Sequence, residues 1–488
     1  MGSSTAAAQA NKPHVVLVPF PAHGHVAPHV QLARVLRARG AHVTIVHTEL
    51  HHRRLLQARG GGGGEAPAAD DEGGQIAVEV IPDELSLEDP PRTLQAHHEA
   101  MERNCLEPFK ALLRELAGRP GAPPVSCVVA DTPMPFAAVA AREVGVPDVQ
   151  FFTASACGLM GYLQFQELLA REIIPLKGIR TDYKSDGSLD TPLEWVPGMK
   201  GMRLRDMPTF CRTTDADDWL LHFHVHQMRT AAASKAVILN TFYDMEKDVV
   251  DALAPLLPPV YTVGPLASVI ASLPESGGGG GGDTASGGGI SLLQEDEECM
   301  AWLDGKAPRS VVYLSFGSHA SMGGARLQEF AAGLARCGTP YLWVLRPEMA
   351  AEVEAVGGDD GLVVPWCAQE AVLSHPAVGL FVTHCGWNSI LESVVAGVPV
   401  LGCPVLSEQT TNCRQVCTAR GIGGELPQEA GSEEIAALVR EMMAGRKGKE
   451  ARDKTLEWKR LAEASAKEGG SSYENIGRLV ENVLLKGI

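Results

Sequence analysis

Two patterns of apolar and polar positions recur along the chain. Short runs of β-branched and aliphatic residues, closed off by Gly, Pro or Asn, predict buried strands; stretches with apolar residues three and four apart predict amphipathic helices. His14 to Phe20 (HVVLVPF) is the first strand. PAHGHVAPH is a turn, HVQLARVLRARG a helix ending at Gly40, and HVTIVHT the next strand. His97 to Leu116 reads as one long helix, Val125 to Asp131 as a strand, and Val149 to Ser155 as another. Gly158 to Leu176 is a helix whose apolar and aromatic side chains suit the wall of a pocket, and residues 178–214, rich in Pro, Gly and Asp, are irregular. Ala233 to Phe242 and Pro259 to Leu266 close the first half.

The second half repeats the scheme. SVVYLSFGS (Ser310 to Ser318) is a strand running into a Gly-Ser turn, GARLQEFAAGLARCG its helix, and YLWVLRP the next strand. GLVVPW leads into Trp366–Gln409, where GLFVTH is a strand, Asn388-Ser389 opens a helix that stops at Gly397 and Pro399, and PVLGCPV is a second strand. Helices follow over Thr410 to Arg420 and Ser432 to Gly445, then a long charged helix and the segment SSYENIGRLVENVLLKGI. Strands alternating with helices predict an α/β chain with doubly wound parallel sheets.

The chain has 488 residues, which suits two or three domains. The expected division is a flexible tail (1–13), a first domain (14–266), a Gly-rich linker (267–295), a second domain (296–470) and a C-terminal helix (471–488). Gly60 to Gly64 reads as a mobile loop, and the six-glycine run within Ser276 to Gly289 marks the linker. A net charge of −17 argues against nucleic acid or an anionic membrane as partner, and requires any anionic ligand to be held by local positive features. Eleven cysteines, scattered without CxxC pairs, read as reduced thiols of a cytoplasmic protein. The N-terminus has no signal-peptide core, and no apolar run reaches about 18 residues, the length of a membrane span.

The chemistry concentrates in Trp366–Gln409. Backbone N–H groups at a helix start are unpaired within the helix and carry about half a positive charge. His384, Gly386, Asn388 and Ser389 stand at such a start, and Gly386 lets a ligand approach the backbone. Trp366 and Trp387 supply flat faces, Glu392 lies one turn past Asn388, and Glu408 and Gln409 end the second strand with groups suited to a sugar. Taken singly, these fit a core aromatic, a helix cap and a solvated carboxylate; together they describe a nucleotide-sugar pocket. In the first half, His25 stands in the turn above the carboxyl end of the first strand, where open α/β sheets place ligands. The absence of GxGxxG weakens a dinucleotide reading.

The window (WCxQ, HxxxGxFxTHCGWNSxxE, GVP, a final acidic residue and Gln) resembles the donor signature of the plant family of UDP-dependent glycosyltransferases acting on small molecules. PFPAHGHVAP, FFTASACGLMGYL, DTPLEWVPGM and RLRDMPTF resemble the subgroup that glucosylates cyanohydrins and terpenoid alcohols. The resemblance implies a GT-B fold, two Rossmann-like doubly wound domains facing across a cleft, with a C-terminal helix returning to the first. It implies inverting transfer of glucose from UDP-glucose to a small hydroxylated acceptor, without metal or other cofactor, by a monomer. By resemblance His25 is the general base and Asp131 its partner. Ser318, Trp366, Cys367, Gln369, His384, Gly386, Asn388, Ser389 and Glu392 bind UDP; Thr153, Trp387, Glu408 and Gln409 contact the hexose. Ala368 stands where the family has Pro, Cys403 where an aromatic residue is common and His23 where Gln is usual, and 346–360 is shorter than the family norm. An inactive nucleotide-sugar-binding protein and a doubly wound dehydrogenase are the rival classes.

Overall fold

A computed structural model describes residues 12–58, 76–177, 185–273, 298–317, 322–353 and 360–485. Most of the expected linker, most of the tail, the Gly60–Gly64 run and Ser318 lie outside the described residues. The chain forms two compact units: 1–175, 213–292 and 465–488 make the first, 176–212 and 293–464 the second.

In the first unit seven strands form one sheet, β1 (His14–Val18), β2 (His42–Thr48), β3 (Ile76–Ile81), β4 (Val125–Asp131), β5 (Asp148–Phe152), β6 (Val237–Leu239) and β7 (Val260–Thr262), in the order β3-β2-β1-β4-β5-β6-β7. Every pairing is parallel. Parallel sheets are covered on both faces, which is why β1 is buried at all five positions and apolar at the four after His14. Val15, Leu17 and Phe151 point into one core layer and Val16, Val18 and Phe136 into the other. The helix Ser471–Leu479 belongs to the first layer: Ile476 and Leu479 are buried in it, and Asn475 donates to the backbone oxygen of Thr262 at 3.0 Å.

The second unit carries β8 (Val311–Ser315), β9 (Tyr341–Val344), β10 (Gly361–Val364), β11 (Val378–Thr383), β12 (Val400–Gly402) and β13 (Gly423–Glu425), again all parallel, in the order β10-β9-β8-β11-β12-β13. The irregular segment 176–212, which sequence order groups with the first half, packs here. Thr410 donates to the oxygen of Met207 at 2.8 Å and Thr411 to that of Asp206 at 2.7 Å. The Thr209 N–H donates to the Ser407 carbonyl oxygen at 3.0 Å, and the Ser407 N–H donates to the Thr209 hydroxyl at 2.8 Å.

Three helices differ from the sequence expectation. The first begins at His23, so the expected turn is its opening turn, although it contains Gly24 and Pro28. Burial of Val26, His29 and Val30 overrides their weak propensity. The expected helix His97–Leu116 is two, Leu94–Asn104 and Leu106–Gly118, broken at Cys105. Pro108 has no N–H to offer the carbonyl of Asn104, four residues back. The helix expected over Gly158–Leu176 is a pair, Ala156–Leu163 and Phe165–Ala170, left behind where Glu172 turns to φ 55°.

All eleven cysteines are free. Among the described residues, no helix is long and apolar enough to cross a membrane.

Candidate active site

In an open α/β sheet the strand order reverses at one point, and ligands bind outside the carboxyl ends of the strands there. In the first sheet that point lies between β1 and β4. Asp131 ends β4, and His25 sits in the opening turn of the helix that follows β1. The Nδ1 of His25 is 2.8 Å from Asp131 Oδ2; the carboxylate is fully buried and the imidazole about one-third exposed. The same oxygen accepts the Phe20 N–H at 3.0 Å. Because a carboxylate only accepts, Nδ1 carries the proton and Nε2 the lone pair.

Burial alone would raise the pKa of Asp131. The His25 charge and hydrogen bond, the nearby His29 and the Phe20 N–H outweigh burial and hold the carboxyl below its usual range. His29, one helical turn from His25 and wholly buried, was not foreseen. Its Nδ1 is 2.8 Å from the His25 carbonyl oxygen and 3.9 Å from Asp131 Oδ2, and burial lowers its pKa. The i, i+4 spacing of the two histidines was the available signal. Thr153, expected at the hexose, lies just past β5 with its hydroxyl 3.1 Å from His25 Nδ1. Phe20 packs edge-on to His25, with centroids 5.3 Å apart, and stacks on His98 at 4.9 Å.

The reversal in the second sheet lies between β8 and β11. β8 runs into Gly317 (φ 74°), and β11 into His384 and then Cys385 (φ 63°). The next helix spans Trp387–Ala396, starting one residue before Asn388; its N-cap is Gly386, which has no side chain to cap the N–H groups of the first turn. The His384 ring lies against both glycines. A Cβ built on Gly386 would sit 2.5 Å from His384 Nε2, and one on Gly317 2.8 Å from it. A side chain at either position would force that ring to move.

Around the helix start, Gln369 donates to Ser389 Oγ at 3.0 Å and to Glu392 Oε2 at 2.6 Å. Burial raises the pKa of Glu392, with the Gln369 bond acting the other way. Trp366 and Cys367 follow β10; the tryptophan is half-buried and the cysteine buried. Trp387, expected at the hexose, has its side chain buried in the first position of the helix. Glu408 is the N-cap of the helix Gln409–Arg414 and accepts from Ser407 Oγ at 2.5 Å. Gln409 uses its carbonyl inside its own loop, accepting from the N–H groups of Val405 and Leu406 at 3.0 and 2.9 Å.

Sequence reasoning missed Thr209, whose hydroxyl accepts the Ser407 N–H at 2.8 Å and so props the loop that carries Glu408. No local signal marks it, because the two residues are far apart in the chain.

Two all-parallel, doubly wound sheets, one in each unit, are the architecture of the GT-B fold. A rice protein, Os79, determined in complex with UDP, superposes with a TM-score of 0.79 at 27% identity, covering 96% of this chain and 100% of that one. UGT2 of Phytolacca americana, determined with UDP-2fluoro-glucose and pterostilbene, gives 0.74 at 26% identity, covering 96% and 99%. The chain belongs to the UDP-glucoronosyl and UDP-glucosyl transferase family, whose pattern matches residues 69–454. It is thus a UDP-glycosyltransferase. Among its relatives are the (R)-mandelonitrile beta-glucosyltransferase of Prunus dulcis, 43% identical over 98% of each chain, and the 7-deoxyloganetin glucosyltransferase of Catharanthus roseus, 40% identical over 99% of this chain and 98% of that one.

Proposed function

We propose that this enzyme moves glucose from UDP-glucose to a hydroxyl of a small, largely apolar plant metabolite, with inversion, giving a β-glucoside. The observation that carries the reading is the 2.8 Å contact of His25 Nδ1 with buried Asp131. It sets the tautomer in which Nε2 can take a proton. The named activities of the mandelonitrile and deoxyloganetin relatives support glucose as the sugar and a small alcohol as the acceptor.

In this mechanism the acceptor O–H gives its proton to His25 Nε2 as its oxygen attacks the anomeric carbon. The bond to the UDP oxygen breaks with its electron pair, and UDP departs. Asp131 holds the ring and stabilises the imidazolium. Negative charge grows on the leaving diphosphate, where the N–H groups at the Gly386–Ser389 helix start are fixed in advance. With the leaving group held in this way no metal is required, and the enzyme works as a cytoplasmic monomer. Trp366 stacks on uracil, Gln369 and Glu392 hold the ribose, and Glu408 and Gln409 hold the hexose.

The test is purified protein with UDP-glucose, with and without a chelator, and a panel of hydroxylated aglycones. Mass spectrometry detects the product and NMR its anomeric configuration. A β-glucoside from the wild type that His25→Ala fails to make is the expected result. No product, an α-product, or unchanged turnover by His25→Ala overturns the proposal.

A further inference from the structure

Tyr313 lies in the middle of β8 and is buried, with its ring stacked on Phe381 at a centroid distance of 4.9 Å. An apolar strand needs no hydroxyl there, and a buried hydroxyl must find partners. This one reaches the carbonyl Oε1 of Gln369 at 3.1 Å and Cys367 Sγ at 3.4 Å. A tyrosine has one proton to donate. Given to Gln369, it leaves the phenol oxygen to accept from the thiol. Gln369 then has its carbonyl on a hydroxyl and its two amide protons on Ser389 Oγ and Glu392 Oε2. The reversed amide would set its oxygen against a carboxylate, so the chain of bonds has one consistent direction.

We infer that Tyr313 is a positioning residue for the donor nucleotide: its hydroxyl fixes the amide of Gln369 and, through it, the Glu392 carboxylate, in the orientation that accepts ribose hydroxyls. The inference rests on the donor reading above. Gln369 and Glu392 are both half-buried, so each keeps an accessible edge while its other contacts are internal. Tyr313 itself touches no ligand; it acts through the amide.

The test is Tyr313→Phe, which keeps the ring and its stacking. Binding of UDP, 2′-deoxy-UDP and 3′-deoxy-UDP is measured by calorimetry on the wild type and the variant, alongside steady-state kinetics with UDP-glucose. The wild type should favour UDP over at least one deoxy analogue. The variant should bind UDP about 5-fold more weakly, the scale of one net hydrogen bond. The analogue lacking the hydroxyl held by the pair should change by less than ~2-fold. The KM for UDP-glucose should rise with the UDP dissociation constant, while kcat changes by less than ~2-fold. Equal losses for all three nucleotides would reduce Tyr313 to a packing residue and overturn the inference. So would no loss, or a wild type indifferent to both ribose hydroxyls. A wild type that does not bind UDP would bring down the donor reading as well.

Discussion

At the reversal between β1 and β4 the first unit presents side chains: an imidazole, a buried carboxylate, a threonine hydroxyl and a second imidazole one helical turn away. At the corresponding reversal between β8 and β11 the second unit presents backbone. Two glycines enclose the His384 ring, and a helix begins on a residue with no side chain. Side chains can be tuned to take a proton. Fixed N–H groups cannot titrate, but they can hold a charge that appears on a leaving group. Under the mechanism proposed above, one winding supports acid–base chemistry in one unit and anion binding in the other, with the division set by a few residues after each strand.

The sharpest way to break this contrast is to remove one contribution at a time. His25→Ala should lower kcat by about 10²–10⁴-fold, the usual worth of a general base, while UDP affinity stays within ~2-fold. A comparable loss of UDP affinity would mean that the two roles are not separate. Asp131→Asn keeps the shape and removes the charge; it should cost about 10²-fold or more in kcat, again sparing UDP binding measured by calorimetry. Gly386→Ala makes the complementary change. Its methyl would meet His384 at 2.5 Å, so the KM for UDP-glucose should rise about 10-fold or more, with the acceptor KM little changed.

Acid sharpens the comparison in another way. Burial is the main cause that lowers the pKa of His47 and His98 to about 3 and of His14, His51 and His224 to about 4, and all five lie in the first unit. In the unfolded chain each titrates near 6.5. Below that value the unfolded state takes up protons that the folded state refuses. The stability these residues contribute is therefore complete above about pH 6.5 and is lost as pH falls toward 4 and then 3. Hydrogen exchange from pH 7 to 4 should show β1 and β4 losing protection before β8 and β11. Simultaneous loss would refute the assignment. The smallest effect is expected from Thr209→Val, which removes the acceptor for the Ser407 N–H. It should raise the KM for UDP-glucose a few-fold and leave kcat nearly unchanged.

The strands that position both sites could be read from the apolar runs HVVLV, VSCVVAD and GLFVT, because a parallel strand buried on both faces leaves a nearly unbroken apolar signature. The helix that follows β11 was legible too, read as opening at Asn388-Ser389, one residue after its start at Trp387, because a strand and a glycine bound it. His25 and Asp131 could be named only through resemblance, since their pairing is a long-range contact without a periodic trace. His29 and Tyr313 were missed because a buried polar residue looks like any other core position until its partner is known, and half-buried Thr209 because its partner Ser407 is distant in the chain. The opening turn of the His23 helix was misplaced because local propensity argued for a loop where packing imposes a helix.

The chain leaves the first unit at 175, returns at 213, leaves again near 292 and comes back at 465. Neither unit is therefore a single uninterrupted stretch that can be cut out and expressed. A hybrid enzyme joined at the glycine-rich segment, made to pair one protein's acceptor half with another's donor half, would bring along residues 176–212. The graft would press a foreign strap, with its Asp206, Met207 and Thr209, against the helix beginning at Gln409. On the donor reading proposed above, its sugar preference would then be altered by residues that sequence order assigns to the other half.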